Sequence, residues 1–243
     1  MPRPASPSTS SASTRPRLKG GCPVLDSLRK PGGPLKLAVP RGALFDETLD
    51  LLDAIGVETG AVRGDSRSLV FDGGELTLVT MRPYDVPTYV EGGAADLGIT
   101  GKDVLLEQAD RPVYELADLK AGRCRMVLAT RKGDPGPSEH QRRLGMMRIA
   151  TKYPRIAEEY FESRGRQVEI VEVKGSIELA PLVGLADGIV DLVATGRTLA
   201  ENDLEVREDI VECTARLVAN RVSYKLRAGE VDSLVRRLRE AAG

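Results

Sequence analysis

The chain has 243 residues, enough for one large domain or two small ones with a real core, and no apolar run approaches the ~20 residues that span a bilayer. Lysine and arginine total 35 against 36 aspartates and glutamates, so the net charge of -1 gives no global pull toward nucleic acid or membrane, and any phosphate-binding charge must be local. A single histidine, His140, excludes His-ligand metal sites and Ser-His-Asp catalysis, while three scattered cysteines (Cys22, Cys124, Cys213) without C-x-x-C spacing argue against a disulfide framework or zinc site and fit a reducing cytosol.

Residues 1–34 are rich in Pro, Ser, Thr and Arg with one acid, Asp26, and cannot bury enough apolar surface to order themselves. They lack the continuous apolar core of a secretory signal. Their Ser/Arg bias resembles an organelle transit peptide, but a disordered extension or a start site set too early is the preferred reading. The fold is expected to begin near Leu35.

"LKLAVP" (35–40) is an apolar run stopped by proline and reads as a buried strand. In 41–56, Leu44, Thr48, Leu51, Leu52 and Ile55 share a helical face, Asp46 and Glu47 sit in the first turn, and Gly56 supplies the stop. Residues 75–81 alternate as a strand; 86–101 give a short helix, a Gly-Gly break and a strand over 96–99. Residues 124–130 are another apolar strand, and 131–145 a loop that puts His140 on the surface.

The pattern then repeats. Residues 147–150 form a strand, Pro154 stands near the first helical position, and Ile156, Tyr160 and Phe161 share a face. Residues 167–175 read as a strand, 176–188 as a helix and 189–195 as a strand. Two strand-like runs follow in 208–220, and 229–242 close with an amphipathic helix whose apolar positions are Val231, Leu234, Val235 and Leu238. Such alternation implies parallel sheets covered on both faces. Two halves result: lobe I, 35–118 plus 205–243, and lobe II, 119–204, with a cleft between them and a hinge beside it.

One turn raises a question of chemistry. The strand 190–193 runs into Thr195-Gly196-Arg197-Thr198, and a helix opens at Leu199. Bare amides, two hydroxyls and a fixed cation at one spot suit an anion. An ordinary strand-to-helix turn capped by Thr198 fits the same residues.

Long blocks break the tie. "GSIELAPLVGLADGIVDLVATGRTLAENDL" (175–204), "RPYDVPTYVEGGAADLGITGKDVLLE" (82–107), "LAVPRGALFDET", "CRMVLAT" and "MRIATKYP" resemble, over about 35–225, the ATP phosphoribosyltransferase family, which opens histidine biosynthesis. The resemblance implies transfer of phosphoribosyl from phosphoribosyl pyrophosphate (PRPP) to N1 of the adenine of ATP, release of pyrophosphate, and Mg²⁺. It implies an α/β fold of two lobes joined by two crossover strands, like type II periplasmic binding proteins. With no room for a C-terminal regulatory domain, the chain looks like the short form of the family. That form works in the cytoplasm with a histidyl-tRNA synthetase-like regulatory subunit, in a hetero-octamer of four plus four chains.

By the same resemblance, Asp191, Ala194, Thr195, Gly196, Arg197, Thr198 and Leu199 hold PRPP, with Asp191 on the ribose hydroxyls and Asp191 and Arg197 nearest the chemistry. The T-G-x-T echoes the main phosphoribosyltransferase class, but only one acid precedes it here, so that class's sugar contacts do not carry over. Arg41, Gly42 and Arg82 are expected to meet phosphates of ATP or pyrophosphate. Asp96, Gly98 and Lys102 are expected beside the adenosine, and Tyr153 stacks on adenine or belongs to the core. Glu178 and Asp187, expected on a helix, bind Mg²⁺ or hold arginines. Leu44, Phe161 and Leu238 are assigned to packing. A solute-binding or sensor protein of the same fold is the alternative; a transcription-regulator effector domain and a Walker-type NTPase fit less well, since residues 1–34 make no helix-turn-helix and no G-x-x-x-x-G-K-[ST] occurs.

Overall fold

Period-two alternation along the first strand sets the layers. In the computed structural model, which describes residues 32–64, 67–134 and 145–243, strand β1 (Leu35–Pro40) sends Leu35, Leu37 and Val39 to one face and Ala38 to the other, all buried. A strand buried on both sides needs cover on both sides. Helices α1 (Phe45–Ala54) and α9 (Ala228–Ala242) cover one face, where Leu49, Leu52, Val231, Leu234 and Leu238 meet the strand residues. Helix α3 (Val86–Glu91) covers the other with Val86 and Val90 against Ala38 and Val218.

The first sheet has the order β2-β3-β1-β4-β11-β5, with β2 (Val70–Asp72), β3 (Leu76–Met81), β4 (Leu97–Gly101), β5 (Val113–Asp118) and β11 (Ala215–Asn220). The second runs β10-β6-β9-β7-β8, with β6 (Cys124–Arg131), β7 (Met147–Thr151), β8 (Val168–Glu172), β9 (Gly188–Val193) and β10 (Leu204–Cys213). Helix α5 (Pro154–Ser163) packs Ile156, Ala157, Tyr160 and Phe161 on Met126, Leu128 and Ile149 of one face. The opposite face holds Ile177, Ala180 and Leu199. Helix α2 (Gly60–Arg63) and helix α4 (Lys102–Glu107) complete the first lobe's N-terminal part, with α8 (Arg221–Leu226) leading into α9.

Several expectations are corrected. The sheets are mixed, not parallel: β1, β3 and β4 run parallel, as do β7, β8 and β9, but β2, β6, β10 and β11 pair antiparallel. Strand β10 stays in the second sheet to Cys213, so the return to the first falls at Thr214, later than residue 205. The helix expected over 176–188 shrinks to α6 (Leu179–Leu182), because Pro181 lacks a donor and Gly184 turns left-handed at φ 74°. Asp187 therefore precedes β9 rather than riding a helix. In α1 the buried stripe is Thr48, Leu49 and Leu52, with Leu44, Leu51 and Ile55 only partly covered. Helix α4 and strand β5 were not expected; their apolar residues are too few and too mixed to show a period. The four apolar positions foreseen in α9 are all buried. His140 and most of the N-terminal extension lie outside the described residues.

Gly98, expected beside the adenosine, has a packing role. It lies buried in mid-β4, where an added Cβ would stand 2.4 Å from Val86 Cγ1 and 2.8 Å from Val90 Cγ2. Gly98→Ala should therefore overpack the α3 interface and cost about 1–3 kcal/mol in urea unfolding. A variant of unchanged stability would show that α3 can retreat freely.

Candidate active site

The sheets meet at a narrow waist. Residues 119–123 lead out of β5 into β6, and Thr214 leads from β10 back to β11. Leu119 N donates to Ala215 O at 2.9 Å, Ala215 N to Ala121 O at 2.9 Å, and Thr214 Oγ1 to Asp118 Oδ1 at 2.8 Å. The crossovers are thus tied to each other before the lobes separate. Lys102 N donates to Thr214 O at 2.9 Å, fastening the start of α4 to the same place.

Above this waist lies a cleft of ≈ 620 Å³. Its first-lobe wall carries Arg82, Gly101 and Asp103, its second-lobe wall Tyr153, Leu192 and Ala194, and its floor Arg123, Cys124 and Cys213. Parallel strands deliver their C-terminal ends there: β4 stops at Gly101 and β9 at Val193. The lobes also touch through α4. Glu107 accepts from Arg155 N at 3.2 Å and Ile156 N at 3.1 Å, so a first-lobe carboxylate caps the start of second-lobe helix α5.

Asp103 is the cleft's most buried acid at 7% exposure. Burial pushes its carboxyl above the ordinary range, partly offset by a hydrogen bond from the Tyr153 hydroxyl. Burial, and then the charge of Asp103, push the Tyr153 phenol up in turn. Asp191, on β9, is likewise raised by burial, against the pull of Lys152 Nζ at 3.8 Å. Tyr153 packs on the second-lobe core, as one of its two expectations had it, and also lines the cleft.

After β9 the chain turns through Thr195 and Gly196 into α7 (Arg197–Glu201). Gly196, not Thr198, is the N-cap residue, in the left-handed region at φ 78° where a Cβ is strained. The first amides of a helix have no partner within it. Here Thr195 Oγ1 reaches Arg197 N only loosely, at 3.5 Å. Ala194, Thr195 and Thr198 are exposed and Leu199 is buried beneath them. The Arg197 guanidinium points outward, 2.7 Å from Glu201.

The other expected residues divide. Arg82 lines the cleft, and Gly42 turns the chain into α1 at φ 92°. Arg41 stacks 5.6 Å from the Phe45 ring and keeps a buried, partnerless Nε. Asp96 does not face the cleft: it precedes β4, roughly 16 Å of strand from Gly101, and its carboxylate accepts from Lys36 N and Ser223 Oγ at 2.9 and 2.6 Å. Lys102 turns its ammonium to Glu115 at 2.8 Å. Glu178 lies near enough to Asp191 to raise its pKa. Asp187 stands at the opposite end of β9, accepting from Arg148 Nη2 at 2.9 Å and Arg148 N at 2.8 Å, so it holds an arginine and not a metal. Among the described residues no cluster of three or more His, Cys, Asp or Glu could hold a metal ion by itself.

Asp103, Glu107 and Arg123 were missed. The signal for Asp103 was present, an acid in the first helical turn after the small-residue strand end Thr100-Gly101, but it needs the strand's direction to be known.

Comparison with known proteins agrees with this architecture. The family model HisG, ATP phosphoribosyltransferase, matches residues 82–240. The ATP phosphoribosyltransferase of Rubrobacter xylanophilus is 52% identical over 204 residues, covering 83% of this chain and 93% of the relative. That of Alkaliphilus metalliredigens is 47% identical over 212 residues, 86% and 98%. Among solved structures, the ATP phosphoribosyl transferase (HisG:HisZ) complex from Thermotoga maritima aligns with a TM-score of 0.72 at 39% identity, covering 86% of this chain and 98% of that one. The periplasmic aliphatic sulphonate binding protein SsuA of Escherichia coli aligns with a TM-score of 0.59 at 12% identity over 86% and 72%, a likeness of fold alone. A family model over most of the chain and relatives near half identity leave one assignment: the chain belongs to the ATP phosphoribosyltransferase family.

Proposed function

We infer that the chain transfers the 5-phosphoribosyl group of PRPP to N1 of the adenine of ATP, releasing pyrophosphate, as the first step of histidine biosynthesis. The observation that carries this reading is the turn Thr195-Gly196-Arg197-Thr198, delivered by β9 to the edge of the interlobe cleft. Its amides and hydroxyls suit the terminal 5′-phosphate, and the left-handed Gly196 lets them converge. Asp191, one turn of chain earlier, accepts from the ribose hydroxyls. Arg197 serves the rim of the cradle, since its guanidinium lies on the outer side of α7.

Adenine N1 is a neutral nucleophile and pyrophosphate leaves, so positive charge grows on the ribose ring and negative charge on the departing diphosphate. That reaction needs positioning and electrostatics more than an activated nucleophile. Arg82 and Arg123 line the cleft and suit the diphosphate charge, with Arg41 directly after β1, while Asp191 is assigned to the sugar. Asp103 and Tyr153 form the apolar-walled end of the cleft and suit a base with exocyclic donors. Closure of the lobes around both substrates would keep water from PRPP.

The metal belongs to the substrates in this reading: Mg²⁺ would enter with the diphosphate, consistent with the described residues forming no cage of three or more ligands of their own. The Thermotoga structure is of a HisG:HisZ complex. We infer a comparable assembly here, with a histidyl-tRNA synthetase-like regulatory chain biasing open against closed lobes. Among the described residues no helix is long and apolar enough to cross a membrane, and the cytoplasm is the proposed compartment.

An assay for N1-phosphoribosyl-ATP, with and without the regulatory chain, tests the reading directly. Thr195→Ala removes a hydroxyl bonded to a charged group and should raise KM for PRPP by roughly 10–100-fold with little effect on that for ATP. Arg197→Ala should act in the same direction but less. Equal weakening of both substrates would put the wrong one on that turn.

Asp103 yields an opposed pair of effects. Its folded pKa lies above the unfolded value of about 3.9, so the native state binds the extra proton and wild-type stability falls as pH rises through that window. Asp103→Asn should therefore melt higher than wild type at pH 7, lose that advantage below about pH 3.9, and be less active. A lower melting temperature at pH 7 would contradict the desolvation account.

A further inference from the structure

Two thiols meet at the waist. Cys124 opens β6, Cys213 closes β10, and the antiparallel register sets them directly opposite each other. Opposed residues in such a ladder point to the same face with Cα atoms about 4.5–5.5 Å apart, inside the roughly 4.4–6.8 Å that a disulfide requires. Cys124 Sγ stands 3.8 Å from the Cys213 carbonyl oxygen, so its sulfur is already turned toward the partner residue. Both are free thiols and both line the cleft. Cys213 is 1% exposed, whereas Cys124 is half-buried and open to small molecules. Their separation in sequence hides the pairing, because it arises only where the chain leaves and re-enters the second sheet.

We propose that Cys124 and Cys213 are a reversible redox site, forming a disulfide that staples the two crossovers and fixes the hinge. The oxidant is a low-molecular-weight disulfide such as oxidised glutathione. Cys124 thiolate attacks one of its sulfurs, forming a mixed disulfide and releasing one small thiolate, which takes a proton from water. Cys213 then gives its proton to water and attacks the Cys124 sulfur, displacing the second small thiolate. Two protein thiols become one disulfide, and the small disulfide becomes two thiols. Hydrogen bonding from Cys213 holds the Cys124 thiol below its ordinary range, which favours Cys124 as the attacking group. In a reducing compartment such a bond is transient and suits sensing rather than architecture.

The bond itself depends only on geometry; its effect on turnover rests on the transferase reading above. The test uses the full chain carrying Cys22→Ser, which removes the third cysteine. After incubation with oxidised glutathione, peptide mapping should join the segments holding Cys124 and Cys213, and both thiols should vanish from titration. The melting temperature should rise by about 5–10 °C, and dithiothreitol should reverse every change. Turnover of ATP and PRPP should fall on oxidation and return on reduction. Cys124→Ser should abolish the shift, as should Cys213→Ser; if the buried Cys213 variant does not fold, the half-exposed Cys124 variant is the control. Thiols that still titrate, or glutathione that stays on Cys124, would overturn the bond. A bond with undiminished turnover would overturn the switch. A bond in a chain inactive in both redox states, even with its regulatory partner, would uphold the site and overturn the transferase reading.

Discussion

The waist governs the rest of the molecule. A chain that must cross twice between two sheets brings both crossings through one small cross-section, and here they hydrogen-bond to each other on the way. The cleft is the space those crossings leave between two lobes that are each packed on both faces. Because β4 and β9 both aim their C-terminal ends at it, the polar ends of two sheets face one another without any residue being recruited from far away. Any motion of one lobe on the other turns on these few residues, and the substrate groups must fit what that motion allows.

Electrostatics of the site follow from burial more than from ion pairing. Asp103 and Asp191 are both raised by desolvation, moderated by Tyr153 and Lys152 and by backbone amides at the two sites. Elsewhere acids are neutralised by close arginines, as Asp187 is by Arg148 and Glu208 by Arg166 at 2.6 Å. The contrast divides the acids by setting: paired carboxylates stabilise their lobes, while the buried acids of the cleft, with perturbed pKa values, are the ones in the position where functional groups are commonly found. Such a site costs stability in the empty state, the common arrangement where charge must be met in a transition state.

Much of this was legible in the sequence. Amphipathic spacing located α1, α5 and α9, since each buries one stripe on a sheet face. The strand-to-helix turn at Thr195-Gly196 was legible because small hydroxyl residues and glycine follow an apolar run there, although the same residues fit an ordinary turn equally well and only the longer blocks around them single it out. What failed was everything set by strand direction. Asp96 precedes a short buried strand just as Asp103 follows it, and only the strand's direction tells which faces the cleft. Antiparallel insertion of β10 and β11 is equally invisible, because pairing partners far apart in sequence leave no local period. Gly98 is a dimple for two valines, a close approach that no local pattern signals.

Glu107 links these themes. Its carboxylate sits in one lobe and satisfies the opening amides of α5 in the other, and burial holds its pKa above the ordinary range. Swinging the lobes apart would strip that helix of its acceptor and send two bare donors to water. The empty molecule therefore has its own reason to stay nearly shut. Whatever enters the cleft does so between lobes already pinned to one another, and widening its mouth costs two amides the carboxylate they share.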